Sequence, residues 1–146
     1  MLCISVEEFL FWKKKQLSKG GDQQSFAVLL DCIGGIKTSD LNLITINARG
    51  NLHLKKNLEF LESVWDDYLL KSCPIQYLCG ITFWRDLKLK VTNKVLIPRP
   101  ETELIVDIVF NIFRKKSEKL FFAELGTGSG AISIALALAY PFSEGV

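Results

Sequence analysis

The chain has 146 residues, of which 49% are hydrophobic and 23% are charged, and its formal net charge is +2. This apolar content indicates one or two packed globular domains and excludes a disordered polar chain. The net charge is too small to indicate nucleic-acid binding, and the basic residues are scattered along the chain, so we expect no direct nucleic-acid partner.

No segment has the pattern of a secretory signal or a membrane span, because the apolar run over residues 131–140 is about half the length that a bilayer requires. We therefore expect a cytoplasmic protein without a membrane partner. The four cysteines form no Cys-x-x-Cys pair, and His53 is the only histidine. This spacing predicts reduced, partly buried thiols and no metal site.

The first two predicted helices are each marked by a polar capping residue and by glycines. Ser5 and Glu8 fit the Ser-x-x-Glu capping box, in which both side chains satisfy backbone N–H groups at a helix start. This helix is expected to end near the glycine pair 20–21. Asp22 is expected to cap the second helix, which the glycine pair 34–35 ends.

The following residues extend the helical region. The Ser-Asp pair at 39–40 predicts the start of a short third helix. From about Leu54 apolar residues recur every three or four positions, which predicts a fourth helix that Pro74 stops. Residues 1–72 are therefore predicted to form a helical bundle with the aromatic side chains in its core.

After Pro74 the periodicity changes from helix to strand. The stretch ITFWRDLKLKVT, residues 81–92, alternates apolar and lysine positions, as a strand with one solvated face does. We expect a β-hairpin linker over residues 73–95. Phe83 and Trp84 are predicted to pack between this hairpin and a sheet.

The remaining residues have the pattern of an α/β domain. Pro98 and Pro100 lie in a segment expected to be extended, after which acidic residues begin a strongly apolar helix that reaches Phe113. Residues 119–125 predict a short buried strand, followed by a glycine turn and a second apolar helix. This order predicts the first strand–loop–helix unit of a Rossmann-like sheet over residues 96–146.

The glycine turn has a spacing that fits two kinds of cofactor. Gly126, Gly128 and Ala131 satisfy the dinucleotide pattern G-x-G-x-x-A. Glu124 favours S-adenosylmethionine instead, because a carboxylate repels a pyrophosphate and attracts the ammonium of the methionine part. The alternative for Glu124 is that it caps the turn or faces solvent.

Four blocks of the sequence resemble one protein family in their order and spacing. They are PIQYLCG (74–80), FW (83–84), LIPRPETE (96–103) and ELGTGSGAISIALA (124–137). The family is that of the release-factor glutamine methyltransferases, the HemK/PrmC family, and the blocks mark about half of the chain. The helical region before them is similar to the amino-terminal domain of that family.

The resemblance implies a fold and an activity. The fold class is α + α/β: a helical substrate-recognition domain over 1–72, a hairpin linker, and the start of a class I methyltransferase domain over 96–146. The implied reaction transfers the methyl group of S-adenosylmethionine to the side-chain nitrogen of glutamine in the Gly-Gly-Gln motif of peptide-chain release factors. The implied partners are therefore release factors, which the helical domain helps to recognise.

The resemblance also implies which residues line the cofactor pocket. The residues on the methionine and ribose side are Glu124, Gly126, Thr127, Gly128, Ser129 and Gly130. The residues that border the same pocket are Arg99, Pro100, Glu101 and Thr102. For the Pro-Arg-Pro stretch at 98–100, the alternative is a rigid linker that begins a helix.

The resemblance implies no catalytic residue within this sequence. In the family, an Asn-Pro-Pro-Tyr motif orients the glutamine amide, and no asparagine of this chain precedes a proline. The second strand of the sheet is also expected to be absent, because the sequence FSEGV stops about where it would begin. We therefore expect a truncated chain without turnover, and residues 94–146 are expected not to fold stably alone.

Two other functions remain open at this point. The chain could act without catalysis, as a module that binds a release factor through its helical domain. It could also be a fragment of a nicotinamide- or flavin-binding protein, because the glycine spacing fits a dinucleotide as well.

Overall fold

The computed structural model describes residues 2–46, 49–113 and 119–146. Its contacts divide the chain into two compact units, unit 1 (Met1–Gly80) and unit 2 (Ile81–Val146). Within the described ranges no helix has both the length and the apolar character needed to cross a membrane.

Unit 1 is built mainly from helices, three of which begin at a capping side chain. The helices are α1 (Val6–Ser18), α2 (Gln23–Leu29), α3 (Thr38–Ile46), α4 (Leu58–Lys71) and α5 (Ile75–Cys79). The side chains of Ser5, Asp22 and Asn57 each accept a backbone N–H from the first turn, at 3.1, 2.8 and 3.0 Å. The predicted caps at Ser5 and Asp22 are confirmed.

The second helix ends at the predicted glycine pair, but its last turn is wider than an α-helical turn. Residues Leu30–Gly34 form a π-helical turn, and Gly35 follows with a φ of +86°. The N–H groups of Gly35 and Ile36 both donate to the carbonyl of Leu30, which closes the turn.

A two-stranded antiparallel ribbon also belongs to unit 1. Its strands are β1 (Leu2–Ser5) and β2 (Asn51–Leu54), with Leu2 opposite Leu54. The helical prediction for residues 1–72 missed this ribbon, because strands of four residues are too short for a clear alternation. Leu54 is buried at the end of β2 rather than at the start of a helix.

The core of unit 1 is a continuous aromatic cluster. Phe26 lies between Trp12 and Trp65, with ring centroids 5.5 and 4.9 Å apart, and Phe9 lies 6.0 Å from Trp12. The indole N–H of Trp65 donates to the carbonyl of Gln16 at 3.2 Å and so links α4 to α1. These four aromatic side chains are buried, as predicted.

The cysteines are free thiols, as predicted. Cys32 is buried, Cys3 is exposed, and Cys73 and Cys79 are partly buried. A hydrogen bond with Cys32, together with burial, raises the pKa of the Cys79 thiol, so this thiol stays protonated. Among the described residues no three metal-ligating side chains come together.

Unit 2 begins with the predicted hairpin. Strands β3 (Ile81–Trp84) and β4 (Leu87–Lys90) are antiparallel, and Arg85 in the two-residue turn has a φ of +50°. Trp84 is 2% exposed, as predicted, whereas Phe83 is 48% exposed. The packing prediction for Phe83 was wrong, because neighbouring strand residues face opposite sides.

Two helices and two short parallel strands complete unit 2. A 3₁₀ turn (Pro100–Thr102) leads into α6 (Glu103–Ile112), as the prolines and acidic residues predict, and α7 covers Ala131–Ala139. Strand β5 (Phe121–Phe122) pairs in parallel with β6 (Glu144–Gly145). The prediction that no second strand is present was therefore wrong.

The predicted burial of residues 119–125 holds only in part. Leu120 is buried, but Phe121 is 65% exposed and Leu125 is 97% exposed. The reason is that the described sheet of β5 and β6 has only two strands, so side chains on one of its faces have no neighbours to cover them.

The core of unit 2 is made jointly by the hairpin and the two helices. Trp84 and Leu89 of the hairpin cluster with Val106 of α6 and Leu136 of α7. The hydroxyl of Tyr140 donates to the carbonyl of Phe113, which ties the end of α7 to the end of α6.

One face of α6 carries exposed apolar side chains. Leu104, Ile108 and Ile112 recur every four residues, and they are 62%, 49% and 66% exposed. A helix places residues at this spacing on one side, so this stripe is an uncovered apolar surface within the described residues.

We expect the fragment of residues 94–146 to remain unfolded, because it lacks Trp84 and Leu89 of the unit 2 core. Hydrogen exchange of the expressed fragment should be fast throughout residues 121–138. The longer fragment 81–146, which keeps the hairpin, should show more protection there. Slow exchange in residues 121–138 of a monomeric 94–146 fragment would contradict the expectation.

Gly21→Ala should lower the free energy of unfolding of unit 1 by about 2–4 kcal/mol. Alanine disfavours the left-handed conformation at this position, and its Cβ would displace the Trp65 ring. Gly21 has a φ of +81°, and a Cβ there would lie 2.6 Å from Cζ2 of Trp65. Gly80→Ala is the matched control, since Gly80 has a φ of +70° and no atom within 4 Å of such a Cβ. Urea unfolding should show the larger loss for Gly21→Ala, and equal losses would refute the steric contribution.

Candidate cofactor site

The glycine turn lies at the carboxyl end of β5, where parallel pairing with β6 fixes the backbone. The ladder continues beyond the two strands: Glu144 N–H donates to Leu120 O at 2.8 Å, and Glu124 N–H donates to Val146 O at 2.8 Å. Glu124 is therefore held at the strand end, which is where ligands bind in open α/β sheets.

Three glycines of the turn, at alternate positions, have a left-handed backbone conformation. Gly126, Gly128 and Gly130 have φ values of +73°, +55° and +76°. A Cβ added to Gly126 would meet no atom within 4 Å, and one added to Gly128 would lie 3.9 Å from Val95. The backbone of the turn is thus open on one side, and a ligand can approach it without meeting a side chain.

Glu124 is bonded to the first turn of α7. Its Oε2 accepts the hydroxyl of Thr127 at 3.1 Å, the backbone N–H of Ser133 at 3.1 Å, and the Ser133 hydroxyl. Gly130 at the N-cap position has no side chain, so Glu124 provides the acceptor that a capping residue normally provides. The alternative that Glu124 caps the turn is therefore observed.

The other oxygen of Glu124 keeps its acceptor capacity. All three bonds end on Oε2, and within the described residues neither a hydrogen bond nor an ion pair reaches Oε1. A carboxylate oxygen in this state suits a ligand that donates hydrogen bonds and carries positive charge. Capping the turn and binding a ligand are thus compatible roles for this side chain.

Ser133, which holds Glu124 in place, was not among the predicted site residues. The signal was available, because Ser133 is the third residue of α7, where a helix has an unsatisfied N–H. Ser129 lies in the turn and is partly exposed, and no described contact fixes its side chain.

The stretch predicted to border the pocket is anchored to the hairpin. The indole N–H of Trp84 donates to Arg99 O at 2.9 Å, and Thr102 N–H donates to the same carbonyl at 3.1 Å. The side chains of Arg99 and Glu101 are exposed. No described contact joins 99–102 to the glycine turn, so their pocket role stays a prediction.

A cleft of about 610 Å³ lies beside the two parallel strands. It is lined by residues 121–123 and 144–146, next to Glu124 in the chain. The glycine turn is itself exposed at residues 126–128. The described residues therefore form one open side of a site rather than an enclosed pocket.

Comparison with known proteins shows relatives that cover almost the whole chain. A protein of Prochlorococcus marinus named release factor glutamine methyltransferase is 42% identical over 97% of this chain and 49% of its own length. Proteins of the same name from Synechocystis sp. and Gloeobacter violaceus are 41% and 35% identical, over 94% and 89% of this chain and 48% and 45% of their own lengths.

The chain spans about half the length of the curated relatives that it matches. No protein-family model matches it. The matched regions nevertheless cover 97% and 94% of this chain in the first two relatives, so they extend over both units. The chain therefore belongs to the release factor glutamine methyltransferase family.

Proposed function

We propose that this chain carries the methyl-donor-binding part of a methyltransferase that uses S-adenosylmethionine. In the proposed reaction, the side-chain nitrogen of glutamine in the Gly-Gly-Gln motif of peptide-chain release factors is methylated. The names of the relatives support the reaction class and the substrate protein. The proposed place of action is the cytoplasm, where translation terminates.

The observation that carries this proposal is the position of the Glu124 carboxylate. In a dinucleotide site, the pyrophosphate binds the free N–H groups at the start of the helix. Here the N–H of Ser133 already bonds to Glu124 Oε2, and that carboxylate adds a negative charge at the same place. The arrangement therefore favours a ligand with an ammonium group over a nicotinamide or flavin dinucleotide.

The open backbone of the glycine turn also supports this proposal, because a ligand can approach it closely without meeting a side chain. We propose that the backbone of Gly126, Gly128 and Gly130, with Thr127 and Ser129 between them, lines the methionine and ribose side. Glu124 Oε1 is the acceptor proposed for the ammonium. When bound, S-adenosylmethionine supplies an electrophilic methyl group on its sulfonium.

The fold proposed for unit 2 is the beginning of a Rossmann-like class I methyltransferase domain. The parallel pairing of β5 with β6, with α7 between them in the chain, supports this assignment. We also propose that Arg99, Pro100, Glu101 and Thr102 border the pocket. Their support is the family resemblance and the anchoring of this stretch to Trp84.

Catalysis is not assigned to any residue of this chain. A glutamine amide nitrogen is a poor nucleophile, so its alignment with the methyl group and acceptors for its N–H hydrogens would contribute most to the rate. The Asn-Pro-Pro-Tyr motif that provides this in the family does not occur among the 146 residues. A second candidate for these residues acting alone is non-catalytic binding of a release factor through the helical region.

The proposed recognition element is the helical region 1–72. Within the stretch 73–95 predicted as a hairpin linker, Ile75–Cys79 forms helix α5, and only Ile81–Trp84 and Leu87–Lys90 form the hairpin. Unit 1 supports such a role because it has its own aromatic core and does not require the glycine turn for its packing. A separately stable unit can present a binding surface to a protein substrate.

Glu124→Gln should weaken binding of S-adenosylmethionine by about tenfold or more, because it removes a charge-assisted hydrogen bond to the ammonium. The measurement is calorimetry on a chimera that places the unmatched half of the Prochlorococcus marinus relative after Val146. The unsubstituted chimera should bind S-adenosylmethionine and not NAD.

Asp107→Asn is the matched control for this substitution. Asp107 is also in unit 2, but its carboxylate pairs with Arg85 at 2.8 Å on the surface of α6, away from the cleft, so its loss should leave cofactor affinity unchanged. Tighter binding of NAD than of S-adenosylmethionine, or an unchanged affinity in Glu124→Gln, would refute the proposed site.

The purified 146-residue chain should show no methyl transfer to a release factor, because it lacks the motif that orients the amide. The chimera should methylate the glutamine of the Gly-Gly-Gln motif, as detected by mass spectrometry of the digested release factor. A methylated glutamine produced by the 146-residue chain would contradict this expectation.

A further inference from the structure

A second polar cluster lies in unit 1, far along the chain from the glycine turn. The carboxylate of Asp22 accepts the N–H of Ser25 at 2.8 Å, the Ser25 hydroxyl at 2.8 Å, and the Tyr68 hydroxyl at 2.9 Å. These bonds lower the pKa of Asp22, the backbone bond from Ser25 most of all, so the carboxylate is ionised at neutral pH.

The direction of these bonds determines what the cluster can still bind. An ionised carboxylate has no proton to donate, so the Ser25 hydroxyl donates to Asp22, and the Tyr68 hydroxyl is shared between Asp22 and Ser25 Oγ. The oxygens of Ser25 and Tyr68, which lie 3.0 Å apart, retain lone pairs as acceptors. Together with Asp22 they form a group of oxygen acceptors whose own donors are already used.

Two members of this group line a cleft of about 520 Å³, and the Asp22 carboxylate that they bond lies next to them. Ser25 and Tyr68 line the cleft on one side, and Leu69, Pro74 and Ile75 provide apolar surface. The Tyr68 ring stacks on Trp65 at 4.9 Å, which fixes its orientation at the edge of the aromatic core. The cleft thus combines an apolar wall with a rigid, acceptor-rich end.

Asp22 differs from three carboxylates of α4 in its charge pairing. On α4, Lys19 bonds Glu62 at 2.6 Å and Asp66 at 2.8 Å, and Lys71 bonds Asp67 at 2.7 Å. Within the described residues no ion pair reaches Asp22. A negative charge next to the apolar wall of the cleft suits a cationic ligand that has an apolar stem.

We propose that this cleft binds a lysine or arginine side chain of another polypeptide. Its aliphatic stem would lie along Leu69, Pro74 and Ile75, and its cationic tip would donate to Asp22, Tyr68 and Ser25. Ammonium and guanidinium groups have donors and no acceptors, which matches an end of the cleft that offers acceptors only. This binding site is independent of the cofactor proposed for the glycine turn.

The test is a titration of the ¹⁵N-labelled 146-residue chain, followed by amide chemical shifts. The probes are N-acetyl-arginine methylamide and its neutral counterpart N-acetyl-citrulline methylamide, which has a similar shape without the charge. The arginine probe should shift the amides of Ser25, Tyr68 and Ile75 in a saturable way. The citrulline probe should not shift them.

Asp22→Asn is the decisive variant, because asparagine caps a helix as well as aspartate but carries no charge. It should weaken binding of the arginine probe by about threefold to fivefold, the range for one partly exposed ion pair. Tyr68→Phe keeps the stacked ring and removes one acceptor, so it should also weaken binding. Asp67→Asn removes an equal charge from α4 and should leave the affinity unchanged.

Several results would overturn the site. One is an equal response to the citrulline and arginine probes, and another is an unchanged affinity in Asp22→Asn. A loss in Asp67→Asn as large as that in Asp22→Asn would indicate general electrostatic attraction instead. Shifts confined to other parts of the chain, or none at any residue, would also refute the proposed binding of a basic side chain.

Discussion

The carboxylate of Glu124 joins the three parts of the candidate cofactor site through one oxygen. Its Oε2 bonds the end of β5 to Thr127 in the glycine turn and to Ser133 in α7. Because Gly130 offers no side chain to cap α7, the helix start depends on an acceptor that comes from the strand. The open glycine backbone and the available Oε1 follow from this arrangement, and the proposed preference for a cationic ligand rests on it.

The two units differ in how completely their apolar side chains are buried. Unit 1 encloses a continuous aromatic cluster, in which Trp65 also bonds to the backbone of α1. Unit 2 joins a hairpin, two helices and a two-stranded sheet, and it leaves the α6 stripe and Phe121 exposed. Segments with few buried contacts open more readily, so we expect the glycine turn to lie in the less protected unit. The enclosed core of unit 1 suits the recognition role that we propose for it.

Much of the fold followed from local patterns in the sequence. The caps at Ser5 and Asp22, the glycine pair at 34–35 and the hairpin were predictable, because each depends on residues only a few positions apart. The ribbon of β1 and β2 was not predictable, since its strands are four residues long and pair across most of unit 1. The second parallel strand was missed because two residues, Glu144 and Gly145, carry no alternation. For the candidate site, the sequence indicated Glu124 and the glycines but not the role of Ser133.

The sequence by itself determined the family, the helix boundaries and the residues of the glycine turn, because each of these depends on residues that are contiguous in the chain. Only the tertiary structure decided which atoms of those residues form hydrogen bonds. It showed that Glu124 bonds through Oε2, and that Asp22 meets Tyr68 across 46 positions of the chain. The Asp22–Tyr68 pair depends on how α2 and α4 pack together, and the free energy of packing is set by the whole core rather than by neighbours in sequence. The chemistry of both clusters was therefore present in the sequence, but its geometry was not.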